Sequence, residues 1–295
     1  MNESGYDTPN IVSNIDYTLI GTVFLMIPLI CLPSYIRIIY VFATRPKYYR
    51  HECFRLIIHI GLAHILIAPG IALNGFKVLY GSDIHELCLF ALTLTWSTLK
   101  LKAVLNLVLA LNRLRVIADL KYFPQIHTVL VIFGYVFALF NMVILQTPYT
   151  SLTFSPGNLL ARFNKQLPLS NVVRWTGFGL VAACAAITVA IYLIVFAHLL
   201  CQRRRTDLVT IRTNEKVILI QAVLQFACDM FLAVWFHFWK YIFIEDAWSE
   251  FIRMTLQALN QFLIPQLLYL WLIRSLRRYL WPFTPYKRVE ASLST

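Results

Sequence analysis

The sequence predicts an all-α membrane protein: a seven-transmembrane helix bundle followed by a short C-terminal amphipathic helix. Three observations carry that expectation. The 295 residues are 59% hydrophobic and only 14% charged, with a mean hydropathy of +0.67, more apolar than an ordinary soluble domain. Seven stretches reach the length of about 20 apolar residues that crosses the hydrocarbon core as a helix, and together they use nearly the whole chain. Lys and Arg gather in alternate loops, as they do on the cytoplasmic side of a membrane. The expected organisation is an extracellular N-terminus over 1–16, the bundle with its inner-surface helix over 17–280, and a cytoplasmic tail over 281–295.

Residues 1–17 carry Glu3, Asp7 and Asp16 but no Lys or Arg, and nothing like a cleavable signal peptide. The first span, about 17–43, is therefore expected to act as its own insertion signal. It contains Pro28 and Pro33, tolerated where neighbouring helices satisfy freed backbone groups. Arg37 lies near its inner end, within snorkelling reach. The next loop holds Arg45, Lys47 and Arg50. Span two covers about 54–73 and is expected to end at Asn74 and Gly75, before an outer loop with Asp83 and Glu86. Span three, about 87–115, is followed by Lys121 and Pro124. Span four covers about 126–147 and stops at Pro148. A longer loop reaches Asn171, with turn signals at Ser155-Pro156-Gly157 and Pro168. Span five covers about 173–200 and leads into Arg203-Arg204-Arg205 and Arg212. Span six starts near Glu215, behind Thr213 and Asn214 as caps, and ends near 243. Glu245, Asp246 and Glu250 make the next loop acidic. Span seven covers about 253–273, and Arg277 and Arg278 sit in a stretch suited to a short helix along the inner surface.

The net charge of +12 is a topological signal here, so no nucleic-acid partner is expected; membrane lipid is. The basic loops after spans one, three and five, with the tail, put the N-terminus outside and the C-terminus inside, which requires an odd number of spans. Asn2-Glu3-Ser4 is then an outward N-x-S glycosylation acceptor. The six cysteines show no CxxC and no metal spacing, so neither metal nor cofactor is expected.

Charges inside the membrane are the candidates for function. One at mid-bilayer costs about 3 kcal/mol on insertion scales and usually faces the bundle interior with a partner. Lys100 and Lys102 precede Arg113 by 13 and 11 residues, roughly 16–20 Å along a helix. Asp229 follows Glu215 by 14 residues, about 21 Å. The depths match, so Asp229 is expected to pair with Lys102 or Lys100 and link spans three and six. The alternative is a lysine in a wet cavity and a protonated aspartate. The two lysines point about 200° apart: Lys100 shares a face with Trp96 and Ala103, Lys102 with Leu99 and Asn106. One can hold the bundle while the other faces an anionic or carbonyl-bearing ligand.

Arg113, behind Asn112 at the inner end of span three, can pair with Glu215 and release it in a switch, or simply anchor the membrane edge. In span seven, Pro265 kinks the helix, Asn260 can bond within the bundle, and Tyr269 can swing near Arg113. Packing alone also explains such residues in a membrane helix.

These pieces resemble the rhodopsin-like G-protein-coupled receptors, and more closely the nematode serpentine chemoreceptors, class T or a neighbouring class. The resemblance covers essentially the whole chain and rests on Glu52-Cys53-Phe54-Arg55, Leu109-Ala110-Leu111-Asn112-Arg113, and Asn260, Pro265 and Tyr269 followed by Arg277-Arg278. It implies that Arg113 matches the arginine of the Asp/Glu-Arg-Tyr switch, that Pro265 and Tyr269 match Asn-Pro-x-x-Tyr, and that Cys88 matches the cysteine anchoring the second outer loop. Asn112 stands where many relatives have an acid, Ile264 replaces the asparagine before the proline, and the tyrosine comes one residue late. The loop after Pro148 has no cysteine to meet Cys88, span six has no proline, and span two lacks the sodium-binding acid. Lys102 falls where span three lines that pocket, so its ammonium is expected to replace the ion.

The resemblance implies a chemosensory receptor of the plasma membrane, sensory cilia included. A small-molecule or peptide ligand would enter an outer cavity among Trp96, Lys100, Trp235 and His237. A heterotrimeric G protein would meet the inner face around Asn112, Arg113 and Arg277. A transporter or channel using Lys100, Lys102 and Asp229 is the alternative, disfavoured by the lack of broken helices or an inverted repeat. No His/Asp/Glu cluster or Ser-His set suggests an enzyme, and span seven has no lysine for a retinal-type pigment.

Overall fold

The computed structural model describes residues 17–81, 86–120, 125–150, 152–153, 159, 161–164, 166–205, 213–242, 247–273 and 276. Among them seven long helices make the bundle: α1 (Tyr17–Thr44), α3 (Glu52–Tyr80), α4 (Leu87–Ile117), α5 (Gln125–Leu145), α6 (Pro168–Arg205), α7 (Thr213–Ile242) and α8 (Ala247–Leu272). A single turn, α2 (Pro46–Tyr49), joins the first two, and a hairpin of β1 (Leu152–Thr153) and β2 (Arg162–Phe163) precedes α6. The end at which the basic loops emerge is termed the inner end, after the expectation from the charge rule.

Helices are the expected outcome for long apolar runs, because every backbone group then bonds within its own segment. Five of them (α1, α3, α4, α5 and α6) are long and apolar enough to cross a membrane. The other two are interrupted by polar side chains: α7 has a shorter apolar stretch, Leu219–Trp235, and α8 carries Asn260, Gln261 and Gln266. Those three and Gln221 of α7 are buried, so the groups that lower the hydropathy face the interior.

Helix α4 is central. It packs against α3, α5, α6, α7 and the hairpin, and it buries residues on every side, among them Leu101, Lys102, Val104 and Leu105. A helix apolar all round is a buried one. Helix α5 is the opposite case. It buries only His127, Gly134, Ala138, Asn141 and Leu145, a narrow stripe at three- and four-residue steps, and exposes Val129, Ile132, Val136 and Phe140.

Several boundaries differ from the sequence reading. Asn74 and Gly75 do not end the second span. The helix continues to Tyr80, and Gly81, at φ 70°, caps it in the left-handed region that glycine adopts without penalty. Gly75 instead lets α1 and α3 touch: a Cβ there would lie 2.8 Å from the Gly21 carbonyl oxygen, and one on Gly21 would lie 2.8 Å from that of Gly75. Small residues of this kind let membrane helices approach closely. Pro168 is not a turn but the first residue of α6, where its missing N–H costs nothing. Helix α8 starts at Ala247, six residues before the expected Arg253. Helix α7 includes Thr213 and Asn214, whose side chains lie outside the described residues, as do Arg277, Arg278 and the expected inner-surface helix.

Candidate functional site

Among the described residues, three polar groupings in the bundle hold the expected site residues, and the first is centred on Asp229. Lys102 Nζ of α4 donates to Asp229 Oδ1 of α7 at 2.9 Å and to Gln261 Oε1 of α8 at 2.7 Å. Asn260 Nδ2 of α8 donates to Asp229 Oδ1 at 2.7 Å, and Asn106 Nδ2 of α4 to Oδ2 at 3.3 Å. Lys102 and Asn106 reach the same carboxylate because residues four apart stack on one helix face. The network ties three helices together at the middle of the bundle. It closes the charge: one ammonium, one carboxylate, and carboxamides around them. A buried pair survives only with such additional hydrogen bonds.

Below it lies a small cavity lined by His64, Asn106, Tyr192, Gln221, Gln225 and Tyr269, with about 20 Å³ for the centre of a water molecule, enough for about one water. His64, fully buried, lies with its Nδ1 2.6 Å from the Tyr35 hydroxyl.

The second grouping is at the inner end and is organised by Glu52, in the first turn of α3. Asn112 Nδ2 donates to Glu52 Oε2 at 2.9 Å, and His127 Nδ1 of α5 lies 2.7 Å from Oε1. Arg115 Nη1 is 3.6 Å from Oε2. Asn112 therefore touches a carboxylate after all, supplied by a different helix. Arg113 beside it is 3% exposed. Pro265 and Tyr269 lie in α8, which runs through the proline, and Tyr269 packs edge-on against Phe42 at 5.6 Å.

The third grouping is in the outer half. Lys100, 6% exposed, donates to Asn141 Oδ1 of α5. Its stem passes against Gly177 of α6, where a Cβ would lie 2.5 Å from Cε. Trp96 stands edge-on to Phe163 of the hairpin at 5.9 Å, and the loop is tied down by the Leu159 N–H donating to Glu250 Oε2 at 2.9 Å. Trp235 stacks at 5.9 Å on Phe231, which is 65% exposed. The side chains of His237 and Glu215, and all of Asn2 and Arg277, lie outside the described residues. Cys88 is buried and forms no disulfide with another described cysteine.

No protein-family model and no curated protein matches this sequence. Among solved structures, the crystal structure of squid rhodopsin is similar, with a TM-score of 0.66 over 90% of this chain and 84% of that one, at 11% identity. The chain has a rhodopsin-like fold. At that identity the likeness is one of architecture: seven helices in the same arrangement, with no residue role carried across. It fits a multi-pass membrane protein, as do the apolar helices.

Sequence reading missed Glu52, His127, Gln261 and Asn141 as site residues. Glu52 stood in a quoted motif without a role. The other three are polar residues inside apolar stretches, which is signal enough to mark them but not to say what they meet.

Proposed function

We propose that this chain is a G-protein-coupled chemosensory receptor of the nematode serpentine kind, in the plasma membrane with its N-terminus outside. The observation that carries the reading is the rhodopsin-like arrangement of helices over 90% of the chain. In support, Arg113 and the Glu52 cluster sit together at the inner end, and the Lys102–Asp229 network joins α4 to α7 and α8. An external chemical ligand binds between the outer halves of the helices, with Trp96 and Lys100 in contact with it. Trp235 and His237 are proposed on the same side. It favours one of two packings of α6, α7 and α8, and only its differential affinity for the two drives the change. The inner face, with Asn112, Arg113, Glu215, Pro265, Tyr269 and Arg277, then engages a heterotrimeric G protein. Asn2 is proposed as the glycosylation site.

The test is reconstitution of the full chain with a purified heterotrimeric G protein and a panel of chemical ligands. Ligand-dependent nucleotide exchange is the expected result. Ligand-driven ion or solute flux through the reconstituted chain, without exchange, would overturn it in favour of a transporter or channel.

A further inference from the structure

We propose that Lys100, with Ser97, binds the carboxylate of a small organic acid, so that the ligand of this chain is acidic. The inference rests on the receptor reading for its purpose but on the geometry of α4 for its chemistry.

The two ammonium groups of α4 are in different states of compensation. Lys102 has a carboxylate at 2.9 Å and an amide oxygen at 2.7 Å. Lys100 is equally buried, yet its hydrogen-bond partner is the neutral Asn141 side chain. Among the described residues no carboxylate lies within 4 Å of it. Asn141 is itself oriented: its Nδ2 donates to the Phe137 carbonyl of its own helix at 3.4 Å, which leaves the oxygen for Lys100. An ammonium has three donors, and Asn141 takes one. A buried cation with donors to spare and no counter-charge is a ready anion site, because an unpaired charge in a low-dielectric interior is costly.

A second group points to the same occupant. Ser97, 2% exposed, has a hydroxyl with no hydrogen-bond partner. It lies three residues before Lys100 on the same helix face, one turn nearer the outer end. Neighbouring Thr98 bonds its own helix carbonyl in the ordinary way, to Leu94 at 2.7 Å; Ser97 does not. One ammonium and one hydroxyl match the charge and the two oxygens of a single carboxylate. A doubly charged phosphate would leave one charge unbalanced. The rest of the acid would run outward beside Trp96, beneath Phe163 of the hairpin. Gly177 completes the arrangement: a side chain there would meet Lys100 Nζ at 2.9 Å and push the ammonium aside.

The probes are hexanoate and phenylacetate, each against the uncharged amide of the same skeleton. They are titrated into the purified full chain in a nonionic detergent, and thermal unfolding is followed. The acids are expected to raise the melting temperature and the amides not. Lys100→Met should weaken the acid effect about tenfold or more, as loss of a charge-assisted contact does, and Ser97→Ala about threefold. Equal effects of acid and amide, or an acid effect unchanged in Lys100→Met, would overturn the proposal. If Lys100→Met does not fold, Ser97→Ala and Gly177→Ala decide: acid affinity unchanged in both overturns it. Nucleotide exchange is read in parallel. Acid binding with acid-driven ion or solute flux and no exchange sinks the receptor reading alone. Exchange driven equally by uncharged ligands in wild type and Lys100→Met sinks the acid site alone.

Discussion

Glu52 and His127 face each other across the inner end of the bundle, with Oε1 and Nδ1 2.7 Å apart. They come from α3 and α5, which also meet where His59 Nδ1 lies 3.0 Å from the Tyr135 hydroxyl. Glu52 also takes Asn112 and Arg115, so one carboxylate positions three side chains next to Arg113. The His127 side chain is 2% exposed and that of Glu52 28%.

Breaking that contact should show as coupling. Glu52→Ala and His127→Ala are each expected to lower the thermal stability of the purified chain by about 1–3 kcal/mol, the cost of stranding a buried polar partner. The double variant should lose less than the sum. Additive losses would mean that the two residues act independently.

Asp229→Asn leaves the Lys102 ammonium buried with neutral partners. The expected cost is about 3–5 kcal/mol, seen as lost surface expression. Adding Lys102→Met should recover part of it, since removing both charges is far cheaper than removing one. If the second change makes expression worse, the pair is not what holds α4 to α7.

The contact of α1 with α3 leaves no room at Gly75. Gly75→Val should cost about 1–3 kcal/mol through overpacking, because a Cβ already meets backbone atoms at 2.8 and 3.0 Å. Gly179→Ala is the control. Nothing lies within 4 Å of a Cβ there, so its melting temperature should stay at or slightly above wild type.

Tyr35→Phe removes a hydroxyl from a fully buried site, where it lies 2.6 Å from His64. Leaving His64 Nδ1 without that partner should cost about 1–3 kcal/mol, read as a lower midpoint in thermal unfolding. An unchanged midpoint would show that the pair contributes nothing net.

Arg113→Ala tests the signalling role. Surface expression near wild type with loss of nucleotide exchange is the expected outcome. Retained exchange would reduce Arg113 to a membrane-edge anchor.

The sequence by itself determined that there are seven long helices, their order, and how far along its own helix each charge sits. Those are properties of one strand of chain: hydropathy is summed over about 20 neighbours, and depth follows from 1.5 Å per residue. That is why Lys102 and Asp229 were legible as level with one another. Which lysine meets Asp229, which oxygen Glu52 offers to His127, and where Gly21 touches Gly75 depend on the rotation of each helix about its own axis. A turn of about 100° per residue exchanges one neighbour for another at no cost within the helix, so local sequence does not set it. Only packing does: close contact of α1 on α3, and α4 surrounded on all sides, turn Lys102 toward α7 and α8 and Lys100 toward α5 and α6.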